Sequence, residues 1–509
     1  MSDPNALSLN QFPPEILHRI FKYIDVSDIL RLRRVSRYLN EVSHSKHLWR
    51  EAYRTAECVR PPGPFPWQSK DDLENVLVSS CRVERNLRRG GGTAQTERPT
   101  LKVKEIRYTD VPVGFLSRLV FGRLVLVAFS DQVRCYDLNL DALDSDSDGI
   151  IYRTTTGWTL KSFRCVSAID VEGHPFACVV LNEETETTAH ISIYLVHVGE
   201  QFKVTLDLIH QFKHYGLDID SVDLGPRVIV IQGQDIEGGF HLFALDVHTR
   251  TEFELSPFVD AVLMETGEVP NLFAIEEFIS SSSISTSTHV LMTRSFYGST
   301  AGWRTFFQAF ALPPPHPHNN SIPTPTPTAL GPSHRGLVPG IKLSNTVLLL
   351  QDAVDPTTQD VLIAIRVHMV EPSQPRTPLS KHGVLRLSAF DSSSDHPIGT
   401  ITFQPLGPFS HSRIAHPSFT GTSRVFYMKH KQESRAVISA LEYDVRARAH
   451  GNRNSDDDEA PEAKVVEYPG ILRLPTKQIL FDYDPYSGRI CLLSDMETHS
   501  VIEVLSFGV

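Results

Sequence analysis

The run Asp144-Ser145-Asp146-Ser147-Asp148-Gly149 is the first stretch whose residue types could do chemistry. Carboxylates at alternate positions followed by Gly imitate the start of a calcium-binding loop. That loop needs a bidentate Glu at its twelfth position, which here is Thr155, and the flanks have strand rather than helix composition. The run therefore reads as an acidic turn. His44 and His47 lie three apart in a helical pattern with no Glu or third ligand arranged beside them. His316, His318, His411 and His416 fall in loop-like stretches, and none of these has the spacing of a metal site. The six cysteines (Cys58, Cys81, Cys135, Cys165, Cys178 and Cys491) include no C-x-x-C pair, and read as reduced thiols. There is no G-x-S-x-G elbow, P-loop or strand-linked G-x-G-x-x-G. The expectation is no catalytic residue, no metal and no cofactor. A site assembled from several distant strands would leave no linear motif, so a dispersed-site enzyme remains an alternative.

Composition sets the class. Hydrophobic residues make up 41% and charged residues 21% of 509, enough to build cores and too apolar for whole-chain disorder. The net charge of −11 argues against nucleic acid, whose phosphates call for a surplus of Lys and Arg. The most apolar stretch, Val111 to Phe129, is interrupted by Arg118 and Arg123, so no membrane span is expected. The opening residues lack a basic patch followed by an apolar stretch, so the expected location is cytoplasm, nucleus or both.

Charge and pattern divide the chain near Gly90-Gly91-Gly92. Residues 7–98 carry a balance of +5 and residues 99–509 a balance of −15. The first part reads as helices. Pro14 and Glu15 open one whose Ile16, Leu17, Ile20, Phe21 and Ile24 make an apolar stripe. Ser27-Asp28 opens a second carrying Ile29, Leu30 and Leu32. A third follows Ser36 and a fourth follows Ser45, presenting Leu48, Trp49 and Tyr53. Beyond Pro61-Pro62-Gly63-Pro64, Ser69 and Asp72 form a capping signal for a longer helix to Arg89, read as a semi-rigid spacer.

After residue 98 the period changes to that of strands. One strand type recurs, alternating and often ending on an aromatic or Asp, at 133–138, 191–196, 240–246, 305–312, 385–391, 437–444 and 501–507. Seven marks at intervals of roughly 61 residues suggest a β-propeller of about seven four-stranded blades with long inserted loops; a pair of sandwiches is the competing architecture. Two insertions stand out: the Pro-rich 312–340, read as an exposed loop, and the acidic 451–463. Ser280–Ser283 read as a polar turn. The last strands number three, one short of a blade, and Leu101–Tyr108 is the candidate to complete it.

The helical start resembles an F-box. Pro13, Glu15-Ile16-Leu17, Ile20-Phe21, Asp28-Ile29-Leu30, Val35-Ser36-Arg37 and Leu48-Trp49 follow that family's order and spacing over Phe12–Tyr53. Phe12 and Ile24 stand where Leu is usual, and Leu39 where Trp is common, all still apolar. The ending Phe481–Leu492 is similar to fungal F-box proteins with long β-rich C-terminal regions. The resemblance implies an α+β multidomain protein: an F-box at 1–55, a helical linker at 56–98, and a β-propeller-like substrate-binding domain at 99–509. It implies a Skp-family adaptor and, through it, a cullin as partners, with an unknown target protein and neither nucleic acid nor membrane. The adaptor-binding residues expected are Phe12, Pro13, Ile16, Leu17, Ile20, Phe21, Leu30, Val35 and Trp49. The function implied is substrate recognition in an SCF-type E3 ubiquitin ligase; an F-box scaffold acting outside ubiquitin ligation is the alternative.

Overall fold

The computed structural model describes residues 9–89 except 57 and 62, and then the strands and turns named below between 102 and 506. The acidic run 144–148, most of the Pro-rich stretch (315–327) and the acidic insertion 451–463 lie outside the described residues.

Helix α1 (Pro14–Phe21) starts on a proline, whose missing N–H costs nothing in a first turn. Helix α2 (Val26–Leu32) begins just before the Ser27-Asp28 signal. Helix α3 (Arg37–Ser43) is capped by Ser36, whose Oγ accepts from the Leu39 N–H at 3.1 Å. Helix α4 is Lys46–Thr55 and α5 is Lys70–Arg89. At α5 the capping box forms as expected: Ser69 N–H donates to Asp72 Oδ2 at 2.8 Å and Asp72 N–H to Ser69 Oγ at 3.1 Å.

The spacer reading of α5 is corrected by its packing. Leu73 and Leu77 are fully buried in one core with Leu17, Phe21, Ile29, Leu48, Trp49 and Tyr53. Arg33 of the α2–α3 turn fixes the same junction. Its guanidinium donates to both Glu74 oxygens, at 2.5 and 2.9 Å, and to Ser43 Oγ at 2.9 Å, while lying over the Trp49 ring. A forked pair with both side chains largely buried holds geometry better than an exposed ion pair. Helix α5 thus completes the helical module, because four short helices alone cannot enclose a core.

The strands form consecutive up-and-down units. The first is Ser117–Val120, Leu124–Ala128, Gln132–Asp137 and Ile150–Arg153. The second runs from Thr159–Ile169 to Val204–His214, and the third from Asp218–Leu224 to Glu252–Leu255. The fourth comprises Ile275–Ser285, His289–Gly298, Gly302–Ala311 and His334–Pro339. The fifth runs from Leu343–Val354 to Gly399–Pro405 and joins the fourth in one eight-stranded sheet. The sixth contains Arg424–Lys431 and Arg435–Glu442. The seventh contains Gln478–Asp484, Arg489–Asp495 and Ser500–Ser506. Each of the seven recurring marks falls on the third strand of a unit.

Cores lie between neighbouring units. Leu124, Leu126 and Ala128 pack with Phe163, Val179 and Leu181, and Val180 and Ile193 pack with Ile229 and Leu245. Units three and four share Val230, Phe253, Met292 and Phe310; units four and five share Phe307, Ile363 and Leu385. Central strands buried on both faces lose their alternation, as Leu124–Ala128 does throughout. The arrangement is consistent with a propeller of seven four-stranded units. The Asp ending several marks has a physical role. Asp246 receives Arg227 at 2.7 Å and two turn N–H groups, and Asp137 receives Arg123 at 2.8 Å.

The seventh unit is completed from the start of the region. Lys102–Tyr108 pairs antiparallel with the last strand at every position, from Lys102 opposite Ser506 to Tyr108 opposite Ser500. The seventh and first units also meet at their inner strands. Asp482 Oδ2 accepts the Leu119 N–H at 2.7 Å, and Cys491, Ile502 and Val504 pack against Val125 and Val127. Burial pushes the Asp482 carboxyl up to about 7, opposed by Arg118 and by two backbone N–H groups. Gly122 sits at φ +60 in this seam, and a Cβ there would lie 1.7 Å from Asp484 Oδ2, so only glycine fits.

Two loop readings change. The Pro-rich insertion is not loop throughout: Thr328–Leu330 pairs parallel with Phe253–Leu255, and His334–Pro339 is the fourth strand of unit four. The alternating prolines 323–327 end before Thr328; of the two that follow, Pro332 falls between these strands and Pro339 at the end of the second, where a missing N–H costs the ladder little. Ser280–Ser283 are strand, opposite Ser295 to Met292, and the turn is Thr286–Thr288.

Candidate adaptor-docking surface

The helical module presents two apolar faces on α1, and only one is used inside the fold. Leu17 and Phe21, four apart, are buried in the core. Ile16 and Ile20, also four apart and shifted by one residue, stay 39% and 37% exposed. Exposed Pro13 precedes them on the same side, and Tyr23, 84% exposed just past the helix, extends the row. Val35 in the α2–α3 turn and Leu9 before α1 are also exposed. Apolar residues on a small module whose core is already filled mark a surface that a partner covers.

The nine expected adaptor-binding residues divide accordingly. Pro13, Ile16, Ile20 and Val35 are exposed. Phe12 and Leu30 are half-buried, and the Phe12 carbonyl accepts the Tyr38 hydroxyl at 2.7 Å. Leu17, Phe21 and Trp49 are corrected to core positions: each is at most 1% exposed, and the Trp49 ring N–H donates to the Ser43 carbonyl at 2.8 Å. Hydrophobic residues with no exposed atoms hold the module together and leave a partner nothing to touch. Tyr23 and Leu9 were not anticipated. Tyr23 continues the Ile16–Ile20 row at a spacing of three and was legible in principle. His44 and His47 are exposed surface residues, and His44 Nδ1 lies 3.2 Å from Lys70 Nζ.

The helical module touches the strand region at two places. Between α4 and α5, Trp67 stacks on His174 at a centroid distance of 4.3 Å and donates its ring N–H to the Glu172 carbonyl. The strap carrying Pro64 and Phe65 borders a cleft of about 390 Å³ over the first turns of units two to five, with Ile169, Pro226, Thr288 and Val354. At the other end of α5, buried Val83 meets Gly488 of the seventh unit, where a Cβ would approach it to 2.7 Å.

Residues 9–55 match the family model described as F-box-like. This stretch is an F-box-like domain. No curated protein matches the chain. Among solved structures, the WD40 domain of SCAP from fission yeast aligns at 11% identity over 76% of this chain and 82% of that one, TM-score 0.36. The Nup170 N-terminal domain in complex with Nup53 from Chaetomium thermophilum aligns at 11% identity over 85% and 68%, TM-score 0.37. Both likenesses are distant. F-box domains mark adaptor-type proteins and generally bind Skp-family adaptors. Among the described residues, no helix is long and apolar enough to cross a membrane.

Proposed function

We propose that this chain is the substrate-recognition subunit of an SCF-type E3 ubiquitin ligase. Its F-box docks on a Skp-family adaptor that brings a cullin, and its β-rich region captures a target protein in the cytoplasm, the nucleus or both. The observation that carries the reading is the exposed Pro13–Ile16–Ile20–Tyr23 row on an F-box whose own core is complete. The chain itself does no chemistry in this reading. It raises the effective concentration of target lysines beside an enzyme supplied by other subunits. Such a role needs the docking face to be joined to the target-binding region, and the contacts of Trp67 with His174 and Glu172 support that reading. The full chain, tagged and purified from cells, is expected to bring down both the adaptor and a cullin. Adaptor without cullin would contradict a ligase role and favour a scaffold outside ubiquitin ligation.

A further inference from the structure

Cys58 and Cys81 are the two thiols that lie outside the strand region, and they lie together. Cys58 follows α4 and is 7% exposed; Cys81 sits on α5 and is half-buried. Both are free, with their sulfurs 3.3 Å apart. They open onto a cleft of about 550 Å³ between the F-box and α5, bordered by Tyr23, Asp25, Ala52, Glu84 and Arg85. A disulfide needs a sulfur separation of about 2.05 Å, so the two sulfurs have to approach by roughly 1 Å to bond.

We propose that Cys58 and Cys81 form a redox-modification site, converted by a peroxide into a reversible disulfide that ties the end of the F-box to α5. The Cys81 sulfur attacks one peroxide oxygen. An S–O bond forms, the O–O bond breaks, and the departing oxygen leaves as water after taking a proton, making Cys81 a sulfenic acid. The Cys58 sulfur then attacks Cys81. The S–S bond forms, the S–O bond breaks, and a second water leaves with the Cys58 proton. Two thiols and one hydrogen peroxide give one disulfide and two waters.

The division of roles follows the surroundings. The hydrogen bond with Cys58 and then the Arg85 guanidinium hold the Cys81 thiol below its ordinary range, while Cys58 is raised by that same bond and by burial. The remaining thiols are poor competitors. Burial pushes Cys135 up to about 12, and Cys165, Cys178 and Cys491 are buried and raised. The bridge would close residues 58–81 into a loop containing the strap whose Trp67 stacks on His174. Oxidation would therefore stiffen the arm between the docking face and the strand region.

The test uses the full chain, reduced, freed of reductant, treated with hydrogen peroxide, then alkylated, digested and mapped by mass spectrometry. The expected result is a Cys58–Cys81 cross-linked peptide pair that dithiothreitol reverses, with the other four cysteines alkylated. In the Cys58→Ser protein, Cys81 is expected to stop at sulfenic acid and be trapped by dimedone. Both thiols remaining fully alkylated would overturn the proposal. So would Cys81 advancing to sulfinic acid in the unsubstituted chain while Cys58 stays alkylated, or a bridge joining either to another cysteine.

Discussion

A chain beginning at residue 112 is expected to be insoluble, or to melt far below one beginning at residue 97. The difference between them includes Lys102–Tyr108, the outer strand of the seventh unit, paired along its whole length with Ser500–Ser506. About seven ladder bonds of roughly 0.5–1.5 kcal/mol each are lost, comparable with the whole stability of an ordinary domain. The exposed edge carries Val501, Ile502, Val504 and Leu505, an apolar strand with open backbone groups and so a template for aggregation. Both shortened chains lack the helical module, so loss of the α5 contact with Gly488 affects them equally. Melting temperature and the soluble fraction after expression read the outcome. Equal stability of the two would contradict closure through this strand.

The second large effect is on binding. Ile16→Asp is expected to abolish adaptor co-purification while shifting the melting temperature of the free chain by only a few degrees. Ile16 is already 39% exposed, so water solvates the new carboxylate in the free protein. Under an adaptor the same charge would be buried unpaired, costing at least ~3 kcal/mol and therefore more than about a hundredfold in affinity. Leu17→Asp is the contrast. It places a charge in a site with no exposed surface, and is expected to unfold the helical module outright. The pair separates a docking residue from a core residue one position away. Undiminished adaptor binding by Ile16→Asp would defeat the assignment.

Much of this was legible locally. The helical start, the Ser69–Asp72 cap and the third strand of every unit follow from short-range pattern. Completion by Leu101–Tyr108 followed from counting strands against a four-stranded unit. What escaped depends on partners distant in sequence. Ile16/Ile20 and Leu17/Phe21 have the same spacing, and only the arrival of Trp49, Leu73 and Leu77 decides which pair turns inward. The helix ending at Arg89 was visible but not what it packs against, because its anchoring pair, Arg33 and Glu74, lies 41 residues apart. Ser280–Ser283 have turn composition and become strand because their backbone pairs with Met292–Ser295 of the next strand. Pattern shows that a face exists; packing selects what covers it.

Hydrogen exchange on the full chain, with and without a purified Skp-family adaptor, tests the docking surface most directly. Slowed exchange is expected in peptides covering Pro13 to Ile24 and the turn at Val35, with the strands of units one to seven unchanged. Protection confined to the strand region, or none on α1 at saturating adaptor, would contradict it.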